Sequence, residues 1–206
     1  MKRLSIAEIV ARATAPLQKG IAVDLTDLEI DSPVDLSGAT VANVDFSNCR
    51  FAEPFVATGA TFAGLAWFRN AQFLSSVDFS RAKFCNDLRM KSALVRGAAA
   101  FSRAEMLGVA DFDQVRFEDR VDLDAVVALG NMSMDRTHFM APVTLQGSEL
   151  LGGLWCEGAT FASRADFRGV EVHGRTWLKC ASVAAQDVAG PRRSVDDIRS
   201  YGYRWT

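Results

Sequence analysis

Stepping from Phe62 alternately by six and five residues, the chain presents an apolar side chain at every landing. The walk runs through Phe68, Phe73, Phe79, Phe84, Met90, Val95, Phe101, Met106, Phe112, Phe117 and Leu123, and on to Val183. Two places before each stands a companion, usually Ala or Val, such as Ala60, Ala71, Val77, Ala82, Ala159 and Ala165. None of these 46 positions is charged, in a chain that is 23% charged. The beat fits neither a helical period of 3.6 nor a sustained strand alternation. Residues two apart on one face make a short extended segment, and a turn must follow before the next pair points inward. All 14 Phe join the pattern once it is extended back through Phe46, Phe51 and Phe55. Nearer the N-terminus it relaxes to plain fives, Leu36, Val41, Phe46 and Phe51.

Two places after every fourth beat stand Asn43, Gly64, Asn86, Gly108, Gly130, Gly152 and Gly174, 22 residues apart from Gly64 onward. Half a period away the column reads Ser75, Gly97, Asp119, Ala141, Ser163 and Ala185. Gly and Asn tolerate positive φ, so the spacing predicts a four-sided coil of 22 residues with one left-handed corner, that of the Gly and Asn column. Pro54 and Pro142, four periods apart, share a corner. About seven such coils fit between Val23 and Val188, a rod on the order of 35 Å long at the strand spacing of a sheet.

The inward pairs with Asp between them, "VDL" at 34–36, "VDF" at 44–46 and 77–79, "ADF" at 110–112 and 165–167, and "VDL" at 121–123, resemble the signature of the pentapeptide-repeat proteins. The resemblance spans roughly residues 23–189, and the chain departs from the commonest form by alternating fives and sixes. It implies an all-β fold, a right-handed quadrilateral β-solenoid with stacked Phe inside.

A solenoid exposes a sheet edge at each end and needs caps. Residues 1–22 are expected to supply one: Ser5 with Glu8 makes a capping box, Ile6, Ile9, Val10 and Ala13 form an apolar stripe, and Pro16 ends the helix near Ala15. Residues 23–189 form the solenoid. Residues 190–206 are a C-terminal capping segment with a helical turn at Ser194, and Tyr201, Tyr203 and Trp205 either cap the rod or make a homodimer contact at that end.

Charge and composition narrow the function by exclusion. A net charge of −2 and a pI near 5.7 give no general attraction to nucleic acid or anionic membrane, so no direct nucleic-acid or membrane partner is expected. Glu8 and Arg12 interrupt any signal-peptide core, no stretch is long enough to span a bilayer, and the four scattered cysteines (Cys49, Cys85, Cys156, Cys180) suit a reduced, cytoplasmic protein. His138 and His173 face outward on different sides, the cysteines fall in unrelated columns, and "LQGSELLGGL" at 145–154 lacks the P-loop Lys. No enzyme, metal site or cofactor is expected.

Two surface features stand out. From Phe62 to Ala104 basic residues exceed acidic ones by five, and from Glu105 to Asp124 the reverse holds, predicting either cross-rung ion pairs or a charged docking band. Trp155 and Trp177 share one outward column, with Trp67 four coils earlier, and an exposed aromatic patch of this kind signals a contact, to be met by the C-terminal tail or by a partner subunit. The leading expectation is a rigid, non-enzymatic protein-binding module. The resemblance implies an alternative, because some pentapeptide-repeat proteins imitate duplex DNA and protect type II topoisomerases such as gyrase from quinolone-type inhibitors. An Asp column at Asp78, Asp122 and Asp166, interrupted by Ala100 and Thr144, would be the acidic surface for that role.

Overall fold

The computed structural model is a right-handed, four-sided β-solenoid of about seven turns. It describes residues 3–162, 164–183, 186–187 and 194–206, with backbone alone at 186–187 and 194. Each coil lays one strand, usually of two residues, on each of four faces. Face 1 begins Val23–Asp24, Val44–Asp45, Ala66–Trp67, and face 2 begins Glu29–Ile30, Arg50–Phe51, Gln72–Phe73. Face 3 begins Val34–Asp35, Phe55–Val56, Val77–Asp78, and face 4 begins Thr40–Val41, Thr61–Phe62, Lys83–Phe84. Strands stack in parallel register, Val23 on Val44 and Val44 on Ala66, so three fives and one six at the start wind one coil of 21 residues before the 22-residue period sets in.

Every beat from Phe62 to Leu178 and every companion from Ala60 to Ala181 is buried. Rings stack coil on coil, with centroids of Phe51 and Phe73 4.7 Å apart and of Phe139 and Phe161 4.9 Å apart. That separation matches the rung spacing of about 4.8 Å, so where Phe follows Phe in a column the rings pack face to face from coil to coil. Phe55 departs from the expected beat. Its register with Val34 and Val77 puts it in the companion column, and Ala57 holds the beat beside it; large and small exchange places and the coil's volume is kept. The polar companions Thr137 and Ser148 are also fully buried, and each hydroxyl donates to a backbone carbonyl one coil below, Phe112 O at 2.6 Å and Leu123 O at 2.7 Å. Neither of these two buried hydroxyls is thereby left unsatisfied.

The corners correct the sequence expectation. Left-handed residues occupy two corners, not one, and neither is the glycine corner. Asn48, Asn70, Ser92, Gln114 and Arg136 turn the chain from face 1 to face 2, and Gly59, Arg81, Arg103, Ala125 and Gly147 turn it from face 3 to face 4, all with φ between 53° and 68°. At these corners the N–H of Ala71 reaches the carbonyl of Phe68 at 3.1 Å and that of Ala82 reaches Phe79 at 3.0 Å. Positive φ at the third residue only, closed by an i to i+3 bond, marks type II turns. These tight turns are the five-residue steps. Among the described residues, the six-residue steps turn without a left-handed residue, Gly153 excepted.

Glycine recurs at the corner from face 4 to face 1 because consecutive coils touch there. A Cβ on Gly130 would lie 2.2 Å from the carbonyl oxygen of Gly108, and one on Gly152 would lie 2.3 Å from the carbonyl carbon of Gly130. Ser163 and Ala185, in the column half a period away, lie outside the described residues.

The N-terminal helix spans Ile6–Ala13 and is capped by Ser5, whose hydroxyl accepts the Glu8 N–H. It ends on Thr14, one residue before the expected stop, and lays Ile9 and Ala13 over the first coil. At the other end regular winding stops at Val183. Gln186–Asp187 folds back antiparallel on Ser182–Val183, and the 3-10 turn Ser194–Asp197, with Ile198 after it, buries Val195 and Ile198. Arg199–Ser200 and Arg204–Trp205 then rejoin faces 4 and 1, 28 residues after their partners in the coil below. The expected boundary at 189–190 falls outside the described residues.

Candidate interaction surface

Face 1 brings the tryptophans together as the periodicity requires. Its outward column reads Asp45, Trp67, Arg89, Asp111, Ser133, Trp155, Trp177 and Trp205. Trp155 and Trp177 stack at 5.8 Å, and Trp177 meets Trp205 at 4.9 Å. The tail therefore lengthens the ladder by one rung, and its Tyr203, 77% exposed, sits beside Trp205. Tyr201 stacks on His173 at 4.8 Å. Trp67 stands apart, with the Arg69 guanidinium 4.1 Å from its ring centre. The buried indole N–H groups of Trp67, Trp155 and Trp177 have no partner among the described residues.

The Asp column lies on face 3 in the order expected, Asp78, Ala100, Asp122, Thr144, Asp166. Each carboxylate serves its own turn by accepting the backbone N–H two residues on, that of Ser80 at 2.8 Å, Asp124 at 2.9 Å and Arg168 at 3.2 Å. The same bond recurs at Asp24, Asp35, Asp45 and Asp111. Outward Asp thus opens the turn that follows. The Arg168 guanidinium, 2.6 Å from Asp166, holds that carboxyl below its usual range. Asp122 and Asp166 also line a groove of about 590 Å³ floored by Ala98, Ala100 and Pro142.

The basic and acidic bands meet one coil apart. Lys83 pairs with Glu105 at 2.9 Å, Arg89 with Asp111 at 3.8 Å and Arg96 with Glu118 at 3.7 Å. Of the residue types that catalyse or bind metals, His138 contacts the Thr160 hydroxyl at 2.7 Å and His173 lies 3.3 Å from Glu149. Cys49 and Cys156 are buried and Cys85 and Cys180 exposed. Burial pushes the Cys49 thiol up to about 12 and Cys156 higher still. No three His, Cys, Asp or Glu converge on a metal position among the described residues, and no helix there is long and apolar enough to cross a membrane.

One surface was not anticipated. Leu107, Leu129 and Leu151, 22 residues apart, stand at the corner between faces 4 and 1, each just before a glycine of the column, and are 37%, 48% and 40% exposed. Val127 beside them on face 4 and Tyr201, Tyr203 and Trp205 above them are exposed too. At the lower end of the same corner, Leu17 and Ile21 border a cavity with Gly64, Leu65 and Trp67. Among the described residues, nine of the ten exposed large apolar side chains thus follow one edge of the rod, Met140 being the exception. The 22-residue spacing of Leu107, Leu129 and Leu151 is the sequence signal of this ladder, as it is for Trp155 and Trp177.

The family model for pentapeptide repeats matches residues 36–83, in nine copies. No curated protein matches the sequence. Among solved structures, that of QnrB1 in trypsin-treated form, described as a plasmid-mediated fluoroquinolone resistance protein, is 17% identical; the match covers 87% of this chain and 90% of that one with a TM-score of 0.33. A likeness at that score carries no functional argument. Residues 36–83 are thus pentapeptide repeats, and coils of the same geometry carry the rod on to Val183.

Proposed function

We propose that this protein is a non-enzymatic, rigid protein-binding rod of the cytoplasm, and that the edge between faces 4 and 1 is its contact surface. The carrying observation is the confinement of nine of the ten exposed large apolar side chains described to that edge. Apolar side chains concentrated on one strip of a folded surface mark a contact. The four unpaired cysteines suit a reducing compartment. Capture from an extract of the source cells by the wild-type chain and by Leu129→Lys tests the reading. A partner retained by the first and lost by the second supports it; identical captured sets sink it.

Protection of a type II topoisomerase by DNA mimicry is the narrower alternative. The Asp78, Asp122 and Asp166 column favours it, but those carboxylates serve turns, and the neighbouring bands pair acid with base. A supercoiling assay with and without a quinolone decides, and no effect at micromolar protein removes the idea. A homodimer through Tyr201, Tyr203 and Trp205 is favoured by the exposure of all three at the end of the rod; sedimentation of Trp205→Ala against wild type checks it, and an unchanged mass discards it.

A further inference from the structure

We infer that the Leu107, Leu129 and Leu151 ladder receives a basic amphipathic helix of a partner protein, lying along the rod axis. The inference rests on the reading of this edge as a contact surface and adds what fills it. Two observations choose the occupant. The first is spacing. The ladder offers one Leu per rung, about 4.8 Å apart, and an α-helix presents one side-chain row per turn of about 5.4 Å. Over three rungs the two periods stay nearly in step, so the apolar stripe of a helix parallel to the rod can seat a side chain between successive leucines.

Charge is the second. On one flank of the ladder face 4 presents Glu105, already paired with Lys83, then Val127 and Glu149, with Glu171 one coil beyond. On the other, past Ser133 and Trp155, stand Asp113, Asp135 and Glu157 in adjacent coils. These three have no cation partner among the described ion pairs, and they hold only hydroxyl or backbone contacts: Asp113 accepts the Ser133 hydroxyl and the Asp135 N–H, and Asp135 accepts the Glu157 N–H at 2.7 Å. Among the described ion pairs Glu149 meets only His173, and Glu171 is paired with Arg199 at the outer end. Burial, and then the repulsion of Asp113 and Glu157, hold the Asp135 carboxyl above its usual range against the opposing pull of Arg136, and Lys91 borders the same recess, so acid exceeds base there by three to two. An apolar ridge between two acidic margins complements a helix with an apolar stripe bordered by Lys and Arg, and it repels an acidic one.

The test uses the full chain and three fluorescent peptides of about 14 residues, long enough to be helical on a surface. They are a Leu/Lys amphipathic helix, its Leu/Glu counterpart, and a Leu/Lys peptide of the same composition scrambled to remove the stripe. The expected result is saturable binding of the first peptide alone, weakened at least tenfold by Leu129→Lys and severalfold by the pair Glu149→Gln with Glu157→Gln. Leu107→Lys serves as a second variant, and circular dichroism confirms that each variant is folded. Equal binding of the scrambled peptide would reduce the effect to bulk charge and overturn the proposal. Leu129-dependent binding of the Leu/Glu peptide would overturn the basic helix while leaving the edge a contact surface. A Leu129-dependent dimer in sedimentation would make a second copy the occupant and overturn it as well. No binding of any peptide, with a captured partner still lost in Leu129→Lys, would reject the helix and keep the contact surface.

Discussion

At the residue scale, glycine and non-glycine corners make opposite demands. Gly130 is needed for space, so Gly130→Ala forces its Cβ into the Gly108 carbonyl 2.2 Å away and is expected to cost about 1–3 kcal/mol as overpacking against backbone. Ala125 has room but sits at φ 53°. There Ala125→Gly relieves left-handed strain and, after the extra entropy of an unfolded glycine, is expected to gain about 0.5 kcal/mol. Paired urea unfolding curves check both signs, and a stabilised Gly130→Ala would refute the close-approach account. Asp135 supplies a pH test. Its folded carboxyl is raised above the unfolded value, so the folded state holds more protons in the window between the two. The stability deficit is therefore present in full above the raised folded value and is relieved as pH falls through that value toward the ordinary carboxylate range. Asp135→Asn keeps an acceptor for the Glu157 N–H and should gain roughly 0.5 kcal/mol at neutral pH, discounted for partial exposure. The gain should vanish near pH 3, and a pH-independent difference would rule out charge as its cause.

At the scale of the element, a strand of two residues has no stability of its own, and each is held by the coil above, the coil below and the core. Phe79 touches Phe55, Phe62, Phe68, Phe84 and Phe101, rings from three successive coils. Phe79→Ala is expected to cost about 3–5 kcal/mol, and Phe79→Asp to unfold the rod by placing an unpaired charge in a dry core. A soluble, fully folded Phe79→Asp in circular dichroism would refute the inward register. The inward register was legible because apolar beats with uncharged companions repeat for many coils. The turn chemistry was not. Arg81, Arg103 and Arg136 hold left-handed corners that composition would assign to glycine, because each flanking turn is clamped by hydrogen bonds to the coils on either side, and those clamps outweigh a local preference of about 1–2 kcal/mol.

For the whole molecule, four faces and a sealed core separate reactive groups from inert ones. Cys49 and Cys156 lie inside and Cys85 and Cys180 on corners, so a thiol reagent should label two cysteines of the native chain rapidly and the other two only in denaturant. Four rapid labels would show that the core opens freely. The Trp column was readable, since 22-residue spacing alone puts Trp155 over Trp177. That Trp205 would complete it was not, because the tail rejoins face 1 after an offset of 28 residues, and no periodicity encodes the detour.

The amino-acid sequence by itself determined the coil, its four sides and the residues inside it, because which side chains point inward is set by their spacing along the chain. Only the tertiary structure decided which corners turn left-handed, why glycine recurs where it does, and that the scattered Leu17, Ile21, Leu107, Leu129, Leu151 and the aromatic tail share one edge. Those depend on how closely one coil rests on the next, and on where a chain that leaves the repeat comes back to it.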